Sequence, residues 1–531
     1  MDLKVYALIS LALPLAFAQN QNTQPANRPS ATEPVRPGPT EPAPAPARGR
    51  GGATNTGAGS VWPGTINETP VVTHHEITVA GKPLSYTATV GQMPINTPTG
   101  ENQAHIFYVA YTLDGVTDLT RRPLTFAFNG GPGSASMWVH VGAMGPRKVQ
   151  LLDNGEMPSP PFKMIDNPNT WLDRTDLVFI DPVGTGYSRA RTAEIARQFQ
   201  GVQGDLDSVG EFIRMYINRS ERWASPLFIA GESYGTFRAA GLAGRLIDQG
   251  IAFNGITLIS TVLDYQDIRF NRTNGITNAL HIPTYTADAF YHEKLPADLQ
   301  KDLRATLKEA ENWAMTSYLQ PLNKGTHLPA EERKAVIKQM ARYTGLDPRY
   351  IDESDLRIDV QHFTRELLRD KDLTIGRLDG RLGGPSPLDA GERADFDPAD
   401  AITRPPFQAV FLQYVRGELG YKSDMTYYVT EGIFNWNFGA ENRFAETGTL
   451  LAHAFAKNPQ MKLMVCASYF DLATPYFQAQ YALDHIGLHP ETLKNITWQY
   501  YMAGHMMYID KEQQAKLKRD EADFIQKAIS Q

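Results

Sequence analysis

Hydrophobic and polar positions alternate along "EITVAGKPLSYTATV" and again along "AHIFYVAYTLDG", a period of two that predicts antiparallel strands joined by turns from about Trp62 onward. The pattern then changes. Short apolar runs, "LTFAFNGG", "DLVFIDPVG", "PLFIAGES", "GITLIST", "KLMVCAS" and "ITWQYYMAGH", each end at a glycine-rich or polar corner, and helical patterns such as "DLDSVGEFIRMYINRS" separate several of them. Unbroken apolar runs of this length, spaced by amphipathic helices, predict a largely parallel sheet covered on both faces by helices, an α/β architecture.

Between residues 266 and 434 the strand pattern lapses. Helix-period segments take over in "LPADLQKDLRATLKEAENWAM", "LPAEERKAVIKQMARYTG" and "ESDLRIDVQHFTRELLRD". So long a span cannot be a plain loop, and it is expected to be an inserted, mostly helical lid subdomain within a core built from residues 61–265 and 435–531. Inside it, "GRLGGPSPLDAGERADFDPAD" reads as an exposed connector.

The N-terminus carries Lys4 and then the apolar run "VYALISLALPLAFA", ending in Ala16-Phe17-Ala18. Residues 1–18 are read as a cleaved secretory signal peptide, the alternative being a membrane anchor; fourteen residues with Pro14 are short for a bilayer about 30 Å thick. Residues 19–60, rich in Pro, Ala, Gly and polar side chains, offer no apolar face to bury and are read as a disordered linker. The destination implied is secreted or periplasmic, with no membrane contact after cleavage.

Composition narrows the function by subtraction. The formal net charge of -7 gives no basic footprint, so nucleic acid and anionic membrane surfaces are poor partners. The one cysteine, Cys466, lies inside a strand-like run and has no partner for an internal bridge. It reads as a small apolar strand residue, with a reactive thiol as the sharper alternative.

Candidate chemistry begins at "LFIAGESYGTFRAAG". Gly-x-Ser-x-Gly between a strand and a helix is the pattern of a nucleophile elbow, where the turn is too tight for Cβ atoms beside the serine. Gly231, Ser233 and Gly235 fit it. A serine hydroxyl needs a base to take its proton and an acid to orient that base. Downstream of Ser233, His505 in "YYMAGHM" occupies a glycine-flanked corner directly after a convincing terminal strand. His485 and His489 instead lie in a helix end, where surface histidines are usual. Asp471, leaving the strand "KLMVCAS", is the expected orienter, the bland alternative being a cap before Pro475. The loop "NGGPGSAS" can present backbone N–H groups to an oxyanion, together with the N–H of Tyr234. No Gly-Lys-Ser/Thr follows it, and no metal-ligand spacing exists, so neither a cofactor nor a metal is expected.

Taken in order, "NGGPGSAS...GAMGP", "NPNTWLDRTDLVFIDPVGTGYS", "FIAGESYG", "FDLATP" and "AGHM" resemble the serine carboxypeptidase family of α/β-hydrolases. The resemblance implies Ser233 as nucleophile, His505 as base and then acid, Asp471 as its orienter, and the N–H groups of Gly131 and Tyr234 as oxyanion hole. It also implies substrate-binding roles for Asn129, Gly130 and Glu232. In the family these belong to a clamp that recognises a peptide's C-terminal carboxylate, with two acids sharing a proton. This chain departs from that pattern. Ala143 stands where the second acid is expected, Ala127 where a tryptophan is, Ser134 where a cysteine is, and the acidic corner is shortened to Asp181-Pro182.

The expected function is release of C-terminal residues from peptides through an acyl-enzyme intermediate. Two alternatives stay open: an esterase or acyltransferase using the same triad on another acyl substrate, and a non-catalytic binding protein on a hydrolase fold. Asn129 and Glu232 favour the peptidase; Ala127 and Ala143 favour the esterase.

Overall fold

The structure, a computed structural model, describes residues 61, 66–388, 390–433 and 435–530. The expected signal peptide and nearly all of the linker lie outside the described residues. The main sheet comprises β1 (Val71–Val79), β2 (Lys82–Asn96), β3 (Asn102–Leu113), β4 (Leu124–Phe128), β5 (Asp176–Ile180), β6 (Arg189–Ala190), β7 (Leu227–Glu232), β8 (Gly255–Ile259), β9 (Lys462–Ser468) and β10 (Ile496–Tyr501). Their order is β1-β2-β3-β5-β4-β7-β8-β9-β10, with β6 paired to β3. The first four in that order pair antiparallel, and from β5 to β10 every pairing is parallel.

The parallel strands β4, β5, β7, β8 and β9 are buried on both faces, which is why their sequences read as unbroken apolar runs, whereas the edge strand β10 is half-buried. Neighbouring residues serve opposite cores. Phe126, Phe128, Leu227 and Ile229 enter one hydrophobic cluster, while Ala127, Phe228 and Ala230 enter the other. The principal helices are α1 (Val202–Arg219), α2 (Tyr234–Leu246), α3 (Gly275–Tyr291), α4 (Leu303–Trp313), α5 (Ala330–Thr344), α6 (Val360–Glu366), α7 (Pro398–Gly417), α8 (Gly448–Lys457) and α9 (Lys511–Ile529). Side chains of α1, α2 and α8 cover the first face, and α7 and α9 cover the second. This is the α/β-hydrolase layout of a mostly parallel sheet between helical layers.

The helix-period segments between β8 and β9 form α4, α5 and α6; α3, α7 and a small antiparallel pair, Leu373–Ile375 with Gly383–Pro385, complete the insertion. They divide in two. The helices α3 to α6 share a hydrophobic cluster of their own that also takes in Leu472 from the loop after β9. By contrast, α7 contributes Phe407, Phe411 and Tyr414 to the cluster on the sheet face. The connector around residues 380–400 carries one of those short strands, and its last residues open α7, with Pro398 in the first turn and Asp397 capping the Ala399 N–H at 3.0 Å.

Among the described residues, no helix is long and apolar enough to cross a membrane.

Candidate active site

The ends of β4, β7, β9 and β10 converge on one cavity of about 700 Å³, which Asn129, Gly130, Gly131, Glu232, Ser233, Tyr234 and His505 help to line. Ser233 sits between β7 and α2 with φ 59° and ψ -128°, a region that a residue with a Cβ rarely adopts. The surroundings hold it there. Its N–H donates to the Ile259 carbonyl at 2.9 Å, and its own carbonyl accepts the Thr236 N–H at 2.8 Å and hydroxyl at 2.7 Å. The flanking glycines are required by close approach: a Cβ on Gly231 would collide with the Gly235 carbonyl, and one on Gly235 would lie 2.9 Å from the Phe128 carbonyl oxygen.

Asp471 and His505 meet beneath the cavity. Asp471 is fully buried, and its Oδ2 accepts from His505 Nδ1 at 2.8 Å and from the Thr474 hydroxyl at 2.7 Å. Its Oδ1 takes the N–H groups of Ala473 at 2.8 Å and Thr474 at 3.0 Å. The residue therefore caps its own turn and orients the imidazole at once. Burial disfavours the His505 imidazolium, but the charge and hydrogen bond of Asp471, joined by the charge of Glu232, outweigh it and raise the pKa above the ordinary histidine value. With Nδ1 donating to Asp471, Nε2 is the atom free to accept a proton.

The insertion supplies the support for His505. Leu378 accepts the His505 N–H at 2.5 Å, and Asp379 Oδ2 accepts the Gly504 N–H at 3.1 Å while pairing with Arg381 at 2.8 Å. No local motif marks Leu378 or Asp379 in the sequence. Other histidines take no part in this arrangement: His281 lines the cavity but is bonded to the Thr277 carbonyl at 2.7 Å, and burial lowers its pKa to about 4. His485 and His489 lie away from the cavity lining.

The glycine loop packs directly on the elbow. A Cβ on Gly130 would strike the Tyr234 N–H and stand 2.5 Å from the Gly235 nitrogen. Gly131 and Gly133 adopt φ of 102° and 94°, and Gly130 closes the turn by accepting the Ser134 N–H at 3.0 Å. Tyr234 is the first residue of α2, so its N–H has no helical carbonyl to bond and points at the helix N-terminus. The buried Arg238, ion-paired with Asp205 at 2.8 Å, donates to the Asn129 carbonyl at 2.8 Å and ties the loop to α2.

Glu232 is 4% exposed, and its pKa is pushed up to about 7 by burial, against the opposing influence of His505, Tyr508 and Asn129. Asn129 Oδ1 accepts the Val139 N–H at 3.0 Å; its buried Nδ2 lies near Glu232 without a bond of full hydrogen-bonding geometry. Among the described residues, the Glu232 carboxyl accepts its direct side-chain hydrogen bond from Tyr508, whose hydroxyl donates to Oε2. Sequence reasoning missed Tyr508, three residues past His505.

The departures from the carboxypeptidase pattern are all buried. Ala127 and Ala143 lie in the core on one sheet face, Ser134 accepts from the Trp138 indole at 3.2 Å, and Asp181 accepts the Ser136 N–H at 2.7 Å. Cys466 is buried, with its thiol pKa pushed far up by desolvation, which leaves it an apolar strand residue. Among the described residues no cluster of His, Cys, Asp and Glu is arranged to hold a metal.

Sequence and fold comparison relate the chain to known carboxypeptidases. Serine carboxypeptidase-like 36 of Arabidopsis thaliana is 28% identical over 149 residues, covering 27% of this chain and 27% of that protein. The pheromone-processing carboxypeptidase KEX1 of Yarrowia lipolytica is 33% identical over 126 residues, covering 22% of this chain and 18% of that one. The chain thus spans less than half the length of the curated relatives it matches. In fold it is similar to the crystal structure of KEX1(DELTA)P, a prohormone-processing carboxypeptidase from Saccharomyces cerevisiae, at TM-score 0.51 and 15% identity over 82% of this chain and 91% of that one. The family model described as serine carboxypeptidase matches residues 83–371, more than half of the sequence, so the chain belongs to the serine carboxypeptidase family.

Proposed function

We propose that this chain is a serine carboxypeptidase that releases C-terminal residues from peptides through an acyl-enzyme. Ser233 attacks the scissile carbonyl while His505 Nε2 takes its proton; Asp471 steadies the imidazolium, and the N–H groups of Gly131 and Tyr234 receive the oxyanion. His505 then returns the proton to the leaving amine, and water repeats the sequence to free the acyl group.

The observation that carries the peptidase over the esterase is Glu232. A buried acid with a pKa of about 7, lining the same cavity as Ser233, keeps its proton at and below about pH 7 and can then donate to a substrate carboxylate. An esterase has no use for such a group. Asn129 and Gly130, beside it, would complete the carboxylate site. Ala127 and Ala143, standing where the family pattern has a tryptophan and a second acid, are what support the esterase or acyltransferase reading.

Export through residues 1–18 and a tether over residues 19–60 complete the proposal, with α3 to α6 as a lid over the cavity. These rest on composition and on Phe270, His281 and Asp359 from that region lining the site.

The test is hydrolysis of an N-blocked dipeptide as its free acid, its amide and its ester, with Ser233→Ala as blank. Preference for the free acid supports a carboxypeptidase. Turnover of the ester with the free acid untouched would assign the triad to another acyl substrate, and no fluorophosphonate labelling of folded protein would remove the enzyme readings.

A further inference from the structure

Tyr508 reaches Glu232 from outside the substrate cavity. Glu232 lines the cavity of Ser233, whereas Tyr508 lines a separate one of about 340 Å³ with Gly142, Phe407 and Lys148. Its ring fills the space beside Gly142: a Cβ there would stand 2.7 Å from Tyr508 Cε2 and 2.9 Å from Phe407 Cε1. The adjacent Ala143 is 1% exposed and packs in the same cluster as that ring. A second acid is therefore absent from the segment where the family would place one, and a phenol arrives from the other end of the chain, 276 residues beyond Glu232.

We propose that Tyr508 is the positioning partner of Glu232, fixing the proton of that acid on the oxygen offered to a substrate's C-terminal carboxylate. The inference rests on the carboxypeptidase reading above. Two features of the contact carry it. The Tyr508 hydroxyl donates to Oε2, so the proton of neutral Glu232 belongs on Oε1. A phenol also changes the charge. Two acids sharing one proton carry a net negative charge, whereas an acid paired with a phenol is neutral when protonated, so an incoming carboxylate meets no repulsion. Burial, with the charge of Glu232, holds Tyr508 far above the ordinary phenol pKa, and it remains a donor throughout. The other groups whose charge or dipole reaches Glu232 are His505, Asp471 and Asn129.

The experiment is steady-state kinetics of the full chain and of Tyr508→Phe on the N-blocked dipeptide free acid and its ester, between about pH 5 and about pH 9. The phenylalanine keeps the ring and removes only the hydroxyl. KM for the free acid should rise about tenfold with kcat little changed, the worth of one hydrogen bond, and the ester should be unaffected. The fall of kcat/KM for the free acid at alkaline pH should also move to higher pH, because the lost bond favours the ionised Glu232. Equal effects on both substrates, or an unmoved limb, would mean that Tyr508 only packs. Fluorophosphonate labelling of Ser233 checks that the site is assembled; should Tyr508→Phe fail it, Tyr508→Gln, which keeps a donor, should hold the limb near its original pH, and a shifted limb there overturns the inference. A wild-type chain that turns over only the ester defeats the carboxypeptidase reading and this inference with it. A wild-type chain that takes the free acid while Tyr508→Phe is indistinguishable from it defeats this inference alone.

Discussion

His505 Nδ1 stands 2.8 Å from Asp471 Oδ2, and the same imidazole feels the charge of Glu232, the residue immediately before Ser233. On the proposed reading, base and carboxylate receptor are thus coupled across one cavity. His505 must be neutral to take a proton from Ser233, and its pKa lies above the ordinary histidine value. Glu232 must be protonated to receive a carboxylate, and its pKa lies at about 7. For a free-acid peptide, kcat/KM should therefore rise with pH through the His505 ionisation and fall again above about pH 7 as Glu232 loses its proton. For the ester only the rising limb is expected. Full pH profiles of both substrates check this, and matching bells would disconnect Glu232 from substrate recognition.

Glu232→Gln isolates the second limb. Glutamine matches a neutral glutamic acid in shape, can accept from Tyr508 through its Oε1 and presents its NH2 to the substrate at every pH. The alkaline fall for the free acid should disappear, while the rising limb shifts to lower pH because the Glu232 charge no longer supports the His505 imidazolium. Loss of free-acid turnover at all pH values would instead show that a true acid proton is needed.

Much of this site was legible because its parts are local. Ser233 announces itself through Gly231 and Gly235, whose Cβ atoms the turn has no room for, and the strands β4, β5, β7, β8 and β9 read as apolar runs because each is buried on both faces. Tyr508 was not legible. Its partner lies far away in the chain, and only folding brings the two together. The same holds for Leu378 and Asp379, which reach the His505 loop from the insertion. Two helices also escaped the periodicity. Every residue of α3 from Thr277 to Ala289 is buried, so there is no polar face to set the period, and α7 carries Pro405 and Pro406, which normally argue for a break.

Gly130 offers a test of the proposed oxyanion site that leaves Ser233, His505 and Asp471 intact. Its Cβ position is occupied by backbone, the Tyr234 and Gly235 nitrogens and the Glu232 carbonyl, none of which can swing aside as a side chain would. Gly130→Ala should displace the loop from the Tyr234 N–H and lower kcat by about 100-fold or more for ester and peptide alike, the scale of losing one oxyanion donor. Burst kinetics with an activated ester would read the acylation step. Wild-type acylation in Gly130→Ala would rule out this loop as the oxyanion support.

The backbone of Ser233 makes the last prediction thermodynamic. At φ 59° and ψ -128° a side chain costs about 1 to 3 kcal/mol, and the conformation persists because Ile259 and Thr236 hold both ends of the residue by hydrogen bonds. Ser233→Ala and Ser233→Gly both remove the hydroxyl, so a comparison between them cancels its loss. Alanine retains the strained Cβ. Glycine relieves it, at a cost of up to about 1 kcal/mol for the greater freedom of its unfolded chain. The difference leaves Ser233→Gly more stable by about 1 kcal/mol, which urea unfolding resolves if both variants are compared under the same conditions. If alanine is the more stable of the two, the elbow is relaxed, and the rigid presentation of the Ser233 hydroxyl must come from packing around it instead of from stored backbone strain.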